Sequence, residues 1–194
     1  APVADLEPMF SSIDLVRGLA CILMVIDHVR VYAAVPAGGP DPAVFFTRWV
    51  THFCSPIFVF LAGTSAFLYG NKQSSTKTLA LFLFTRGLWL IFAELVIVNF
   101  AWTFDITFSY IILQVIWAIG ISMLVLSALV FLPTKTIALI GFILVFGHNL
   151  LDSIKAYGAF PRDVLWYILH QEHVLYIGKS IVVAHYPVLP WIGL

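Results

Sequence analysis

Five long apolar runs follow one another along the chain, at about residues 12–35, 44–69, 78–102, 110–132 and 136–151, separated by short polar or turn-forming stretches. A helix needs about 20 apolar residues to cross a hydrocarbon core of about 30 Å, so each run predicts a transmembrane helix, the fifth being the shortest. Ser11 or Ser12, with Asp14 in the first turn, supplies an N-cap for the first run, and Pro36-Ala37-Gly38-Gly39-Pro40 ends it. Pro56 predicts a kink in the second, which stops at Gly70-Asn71; Pro133 stops the fourth. Residues 152–176 mix Asp152, Lys155, Arg162, Asp163, His170, Glu172 and His173 with aromatics, and predict an interfacial loop with a short amphipathic helix from Val164 to Tyr176. The chain turns apolar again from Ile177 and reaches Pro190-Trp191-Ile192-Gly193-Leu194, which reads as the start of a sixth span. The expected fold is therefore all-α: a polytopic transmembrane helical bundle with five complete spans and the start of another. Residues 1–194 form a single transmembrane domain, read as the front half of a longer one. No internal repeat or low-complexity linker interrupts it.

Composition supports this pattern. Of 194 residues, 61% are hydrophobic and 10% charged, with a mean hydropathy of +1.01. Soluble domains run at about 45–50% apolar and about 25% charged, and a small soluble fold cannot hide this much apolar surface. The formal net charge is zero, so bulk electrostatics point to no nucleic-acid partner. Cys21 and Cys54 both lie in apolar runs and read as small packing residues rather than a disulfide framework. Residues 1–10 lack the basic stretch of a secretory signal, so the first run should stay in the mature protein.

The few charges then set a direction. Lys72 and Lys77 follow the second run and Lys135 follows the fourth, whereas the loops after the first and third carry Asp41 and Asp105 without Lys or Arg. By the positive-inside rule the N-terminus is cytoplasmic, and residues 36–43, 103–109 and 152–176 lie outside.

Ionisable groups inside spans are costly, so each is a candidate site residue or a paired structural group. The first run holds Asp14, Arg17, Asp27, His28 and Arg30. Arg17 and His28 are eleven residues apart, nearly eclipsed on one helix face with Cys21 and Met24 between them, and about 16 Å apart along the axis. Arg17 suits an anionic group arriving from the cytoplasm, and His28 suits general-base work. Alternatively, Asp14 and Arg17 merely pair, while Asp27, His28 and Arg30 mark the outer interface. Arg48 and His52, four apart, make a polar patch with Thr51, Ser55 and Pro56, on the same side of the membrane as His28. His52 is either a second site histidine or a satisfied packing one. Arg86 is a second anion contact or a snorkelling anchor. Glu94 is near mid-span, either in a pocket or in a buried pair. Gln114 shares a face with Trp117 and Gly120, and either lines the site or bonds between helices. His148, Asn149 and Asp152 read as a polar helix end, and Gly63-Thr64-Ser65 as helix packing. A Gly-rich phosphate loop, CxxC and HExxH are all missing, and His170 with His173 lacks a third ligand, so no metal is expected.

The stretch Ser12-Ile13-Asp14-Leu15-Val16-Arg17-Gly18-Leu19-Ala20 resembles the start of the heparan-alpha-glucosaminide N-acetyltransferase-like family. Pro56-Ile57-Phe58-Val59-Phe60-Leu61-Ala62-Gly63-Thr64-Ser65 is similar to its second-helix segment. Leu113-Gln114-Val115-Ile116-Trp117-Ala118-Ile119-Gly120 and Leu189-Pro190-Trp191-Ile192-Gly193 resemble its bacterial branch. Membrane acyltransferases of bacterial surface sugars also carry an arginine and a histidine with the spacing of Arg17 and His28. The resemblance implies a membrane-embedded acyltransferase of the bacterial cytoplasmic (inner) membrane. It would move an acetyl or acyl group from cytoplasmic acetyl-CoA or another acyl-CoA to a sugar-like acceptor on the opposite face. It implies His28 as the catalytic group and Arg17 as a structural or donor-binding partner; the pattern of polar residues in the spans adds Asp27 or His52 to orient His28, Asp14 and Arg86 beside Arg17 at the donor, and Arg48, Glu94 and Gln114 as pocket residues. In the lysosomal branch the histidine considered catalytic lies between the first two helices, where residues 36–43 have none. Such families have around ten spans, about twice what is present. The lipid bilayer is the implied partner, and oligomerisation stays open. Two other classes fit the same charges: a transporter or permease, and a non-catalytic membrane scaffold.

Overall fold

In a computed structural model of the chain, residues 7–36, 41–158 and 161–194 are described. The chain forms two compact units, Ala1–Ser65 and Ala66–Leu194.

The first unit begins with α1, Glu7–Tyr32. This helix starts about one turn before the expected cap, so Ser11 and Ser12 lie inside it and not at its N-cap. Pro8 explains the earlier start, since its missing N–H falls among the first-turn donors that have no partner in any helix. The C-terminus closes in a Schellman turn: Val35 N–H bonds to Arg30 O at 3.1 Å and Ala34 N–H to Val31 O at 3.0 Å, with Ala34 left-handed at φ 54°. Pro36 keeps the chain from continuing as helix. Residues 37–40 of that stop lie outside the described residues. Helix α2, Pro42–Thr51, is capped by the Asp41 carboxylate, which accepts from Ala43 N at 2.8 Å. A turn at His52-Phe53 separates it from α3, Cys54–Lys72. Pro56 accounts for the break, because it has no N–H to return to the His52 carbonyl. The expected kink in the second run is thus a short interruption, and Pro42–Lys72 is still long and apolar enough to cross a membrane.

The second unit holds α4, Thr76–Phe92, which continues through a π-helical turn, Ala93–Val98, into α5, Asn99–Thr103. These make one apolar helix of 28 residues. Strand β1, Tyr110–Leu113, leads into α6, Val115–Leu129; α7, Thr134–Gly147, ends in a 3₁₀ turn, His148–Leu151. Helix α8 is Pro161–Leu169, followed by β2, His173–Ile177, β3, Ser180–Ala184, and α9, Val188–Gly193.

The fold is mostly helical, but not all-α. The three strands form one sheet in the order β1-β3-β2. β1 runs parallel to β3, from Tyr110 opposite Ile181 to Leu113 opposite Ala184, and β2 pairs antiparallel with β3, with Ile177 opposite Ser180. The fourth run therefore begins as a strand. Its helix has 15 residues, short of the length of a full span. The apolar stretch from Ile177 begins as a hairpin arm, Ser180–Ala184, and a helix, Val188–Gly193, follows it. The amphipathic helix lies at Pro161–Leu169, and His173–Tyr176 is strand instead. In each case a short β-branched or aliphatic run satisfies either period, and strand pairing decides. Three stretches are long and apolar enough to cross a membrane among the described residues: Pro42–Lys72, Thr76–Thr103 and Thr134–Leu151.

Close backbone contacts set the helix packing. A Cβ on Gly87 would lie 2.8 Å from the Gly120 carbonyl, and one on Gly120 would lie 3.0 Å from the Gly87 carbonyl, so α4 and α6 cross at paired glycines. Gly141 and Gly193 do the same for α7 and α9. At Gly63, the expected packing position, an added Cβ meets nothing within 4 Å. Under the sheet, Ala156, Tyr167 and Leu175 form a small core with Val164, Trp166 and Val182 packed against it.

Candidate active site

The polar face of α1 carries the groups read from the sequence. Arg17 donates from Nη1 to Asp14 Oδ1 at 2.7 Å, and both side chains are about half exposed or more. One of five guanidinium N–H groups is thereby used. His28, three turns on, places Nδ1 2.7 Å from the Met24 carbonyl. A carbonyl only accepts, so Nδ1 carries the proton and the neutral ring has its lone pair on Nε2. The helix itself thus sets the tautomer that a base needs.

Asp27 and Arg30 are one turn apart, and the structure joins them. Arg30 Nε and Nη2 donate to Asp27 Oδ1 at 3.3 and 3.2 Å. Thr51 Oγ at the end of α2 lies 3.1 Å from the same oxygen. Arg30 Nη1 reaches Val35 O at 3.1 Å, inside the Schellman turn. Lower on the same crossing, Cys54 Sγ donates to Ala20 O at 3.4 Å. The residues immediately before His28 and His52 are therefore in direct contact. His52 also places Nδ1 on its own helix, 3.2 Å from Arg48 O, so its neutral ring too has the lone pair on Nε2. It is exposed, while Thr51 is 7% exposed.

The remaining predicted residues lie in the second unit. Glu94 is fully buried in the π turn. Its carboxylate accepts from the backbone N–H of Gln114 and of Trp117, each at 3.3 Å. These amides open α6, whose own N-cap side chain, that of Gln114, makes no capping bond. The face carrying Gln114, Trp117 and Gly120 thus meets the α4–α5 helix through a carboxylate cap and a glycine crossing. Asn99, also buried, bonds to Tyr110 O and receives Ile112 N–H, each at 3.3 Å. Arg86 is exposed and sits over the Phe82 ring at 5.4 Å.

Comparison with family models supplies the decisive observation. The family model described as heparan-alpha-glucosaminide N-acetyltransferase, catalytic, matches residues 10–194. The chain belongs to that family. Comparison with curated proteins and with solved structures returned no match. Membership in this heparan-alpha-glucosaminide N-acetyltransferase family, with three apolar helices of spanning length, makes the chain an integral membrane protein of an acetyltransferase family.

Tertiary contacts also join polar groups whose pairing had no signal in the sequence. His170 Nε2 lies 3.0 Å from Asp152 Oδ1, with the imidazole 6% exposed, and its Nδ1 is buried without a hydrogen-bond partner. Trp166 packs against that ring at 5.1 Å. His173 stacks on Tyr167 at 4.0 Å, so the His170/His173 spacing does not converge on one point. Among the described residues, no three His, Cys, Asp or Glu side chains gather as a metal site. For Asp27–Arg30 the one-turn spacing was a legible signal; for Thr51 and for Asp152–His170, joined across 24 and 18 residues, there was none.

Proposed function

We propose that this protein transfers an acetyl or other acyl group from a cytoplasmic CoA thioester to a sugar-like hydroxyl or amine on the opposite face of the membrane. The observation that carries the reading is the His28 ring, whose Nδ1 is committed to Met24 O and whose Nε2 holds the lone pair, in a chain of an acetyltransferase family. Arg17, held by Asp14, contacts a phosphate of the donor. The donor's long arm brings its thioester up the α1 face towards His28. His28 Nε2 takes the proton from the acceptor as the acceptor oxygen or nitrogen bonds to the acyl carbon. The carbon–sulfur bond then breaks, and the imidazolium returns the proton to the departing CoA thiolate. Asp27 and His52 orient these groups, and Arg48 belongs to the surrounding pocket. The bacterial inner membrane is the proposed location.

The test is acyl transfer from radiolabelled acetyl-CoA by the full-length protein in liposomes, with glucosamine as acceptor. Wild type is expected to transfer label and His28→Ala to lose at least about a hundredfold in kcat, the usual contribution of a positioned base. Equal transfer by both ends the His28 mechanism. No transfer, with movement of solute across the liposomes, replaces it with a transporter.

A further inference from the structure

We propose that Arg30 and Thr51 are positioning residues of this site: they hold one oxygen of the Asp27 carboxylate so that the other receives a hydrogen bond from the acceptor's hydroxyl or amine. The inference rests on the proposed acyl transfer and adds the group that recognises the acceptor beside the base.

Three donors face Asp27 Oδ1: Arg30 Nε, Arg30 Nη2 and Thr51 Oγ, whose single proton also has Arg48 O of its own helix at 3.2 Å and goes to the carboxylate oxygen at 3.1 Å as the stronger acceptor. Oδ2 takes none of these. A carboxylate has about four lone-pair sites, and here one oxygen is loaded while the other is spared. The holders are themselves well buried, Arg30 at 10% side-chain exposure and Thr51 at 7%, whereas the Asp27 side chain is 36% exposed. The guanidinium is also fixed at its far end, because Nη1 donates to Val35 O. Arginine suits this task, since its planar fork spans a carboxylate and a backbone carbonyl at once, and lysine does not.

The same clamp ties the last turn of α1 to the end of α2. Asp27 precedes His28 and Thr51 precedes His52, so the contact fixes the backbone on which both imidazoles stand. A carboxylate oriented in this way beside a base offers an acceptor for a sugar hydroxyl or a protonated amine, and site groups of this kind need such a supporting layer to hold their geometry. The titratable and charged side chains beside the clamp are Asp27, His28 and Arg30 on α1, with Arg48, His52 and Cys54 on the segment that follows.

The experiment compares Thr51→Val, Thr51→Ser and Arg30→Lys with wild type in full-length protein, with two readouts. The first is steady-state transfer from acetyl-CoA to glucosamine. Thr51→Val should lose about tenfold in kcat, as expected for a bond to a charged group, with the KM for acetyl-CoA unchanged; Thr51→Ser should restore it. No loss, a loss that Thr51→Ser does not repair, or an equal rise in the acetyl-CoA KM overturns the proposal. The second readout is the pH titration of the His28 ring, followed by NMR of ¹⁵N-histidine-labelled protein, and needs no activity. If wild type transfers nothing, the acyl-transfer reading fails and the titration decides. A titration shifted in Thr51→Val, with or without a shift in Arg30→Lys, keeps the positioning role, and one unchanged in Thr51→Val removes it. Should Thr51→Val not fold, Arg30→Lys decides: a lower kcat at an unchanged acetyl-CoA KM, or without turnover a shifted titration, keeps the proposal, and the absence of that change overturns it.

Discussion

Asp105 shows how much one side chain decides in a short loop. Its Oδ1 accepts from Thr107 N–H at 2.8 Å and from the Thr107 hydroxyl at 2.6 Å. Its Oδ2 accepts from Ser109 N–H at 2.8 Å and from the Ser109 hydroxyl. The Ser109 hydroxyl, then the Thr107 hydroxyl and the two amides, hold this carboxyl well below the usual carboxylate range. A depressed folded value means that the unfolded chain binds the proton first. The stabilisation is present above the unperturbed value, about 3.9, and is lost as pH falls below it through the folded value. Asp105→Asn should therefore flatten the acid side of the thermal-stability profile below about pH 4, measured as apparent Tm in detergent. A variant with the wild-type slope there would show that the loop is not coupled to folding. Arg17 and His28 were legible at this scale because eleven residues nearly close three turns. The state of the imidazole was not, since the ring's partner is a carbonyl that carries no sequence identity.

At the level of elements, the long helix from Thr76 to Thr103 was read closely, but the role of its buried acid was not. The sequence offered a pocket or a buried pair for Glu94. The structure offers the amide end of α6 instead, where unsatisfied N–H groups and the positive end of the helix dipole meet a carboxylate. The π turn at Ala93–Val98 is the local rearrangement that carries this side chain. Glu94→Ala should cost about 1–3 kcal/mol, because it strands buried donors. Glu94→Gln, which keeps one acceptor oxygen, should cost less. Thermal unfolding of both variants in detergent checks this order, and equal losses would assign the effect to charge rather than to capping. The sheet was missed for a related reason. Tyr110-Ile111-Ile112-Leu113 and Ser180-Ile181-Val182-Val183-Ala184 are short apolar runs, which periodicity alone assigns to neither helix nor strand. Ile177-Gly178-Lys179-Ser180 held the available clue: Gly178 at φ 63° opens a two-residue hairpin turn.

Across the whole molecule, the proposed orientation places residues 73–75 in the cytoplasm and 104–109 outside, at the two ends of the Thr76–Thr103 helix. With Cys21 and Cys54 replaced by serine, Ser74→Cys and Ile106→Cys report on it. A membrane-impermeant maleimide on intact cells should label Ile106→Cys and spare Ser74→Cys. The reverse pattern inverts the topology, and labelling of both means that the helix does not cross. Hydrophobicity and sparse charge determined the solvent: an apolar bilayer is what this composition needs, and that conclusion follows from counts along one chain. Helical spacing determined which polar residues share the α1 face, because it is a property of the backbone alone. Tertiary structure decided the rest, namely which apolar runs pair as strands, which carboxylate caps α6, and which donors share Asp27. Each of these depends on groups distant in sequence, several of them backbone amides and carbonyls that every residue possesses, so only the folded chain selects among them.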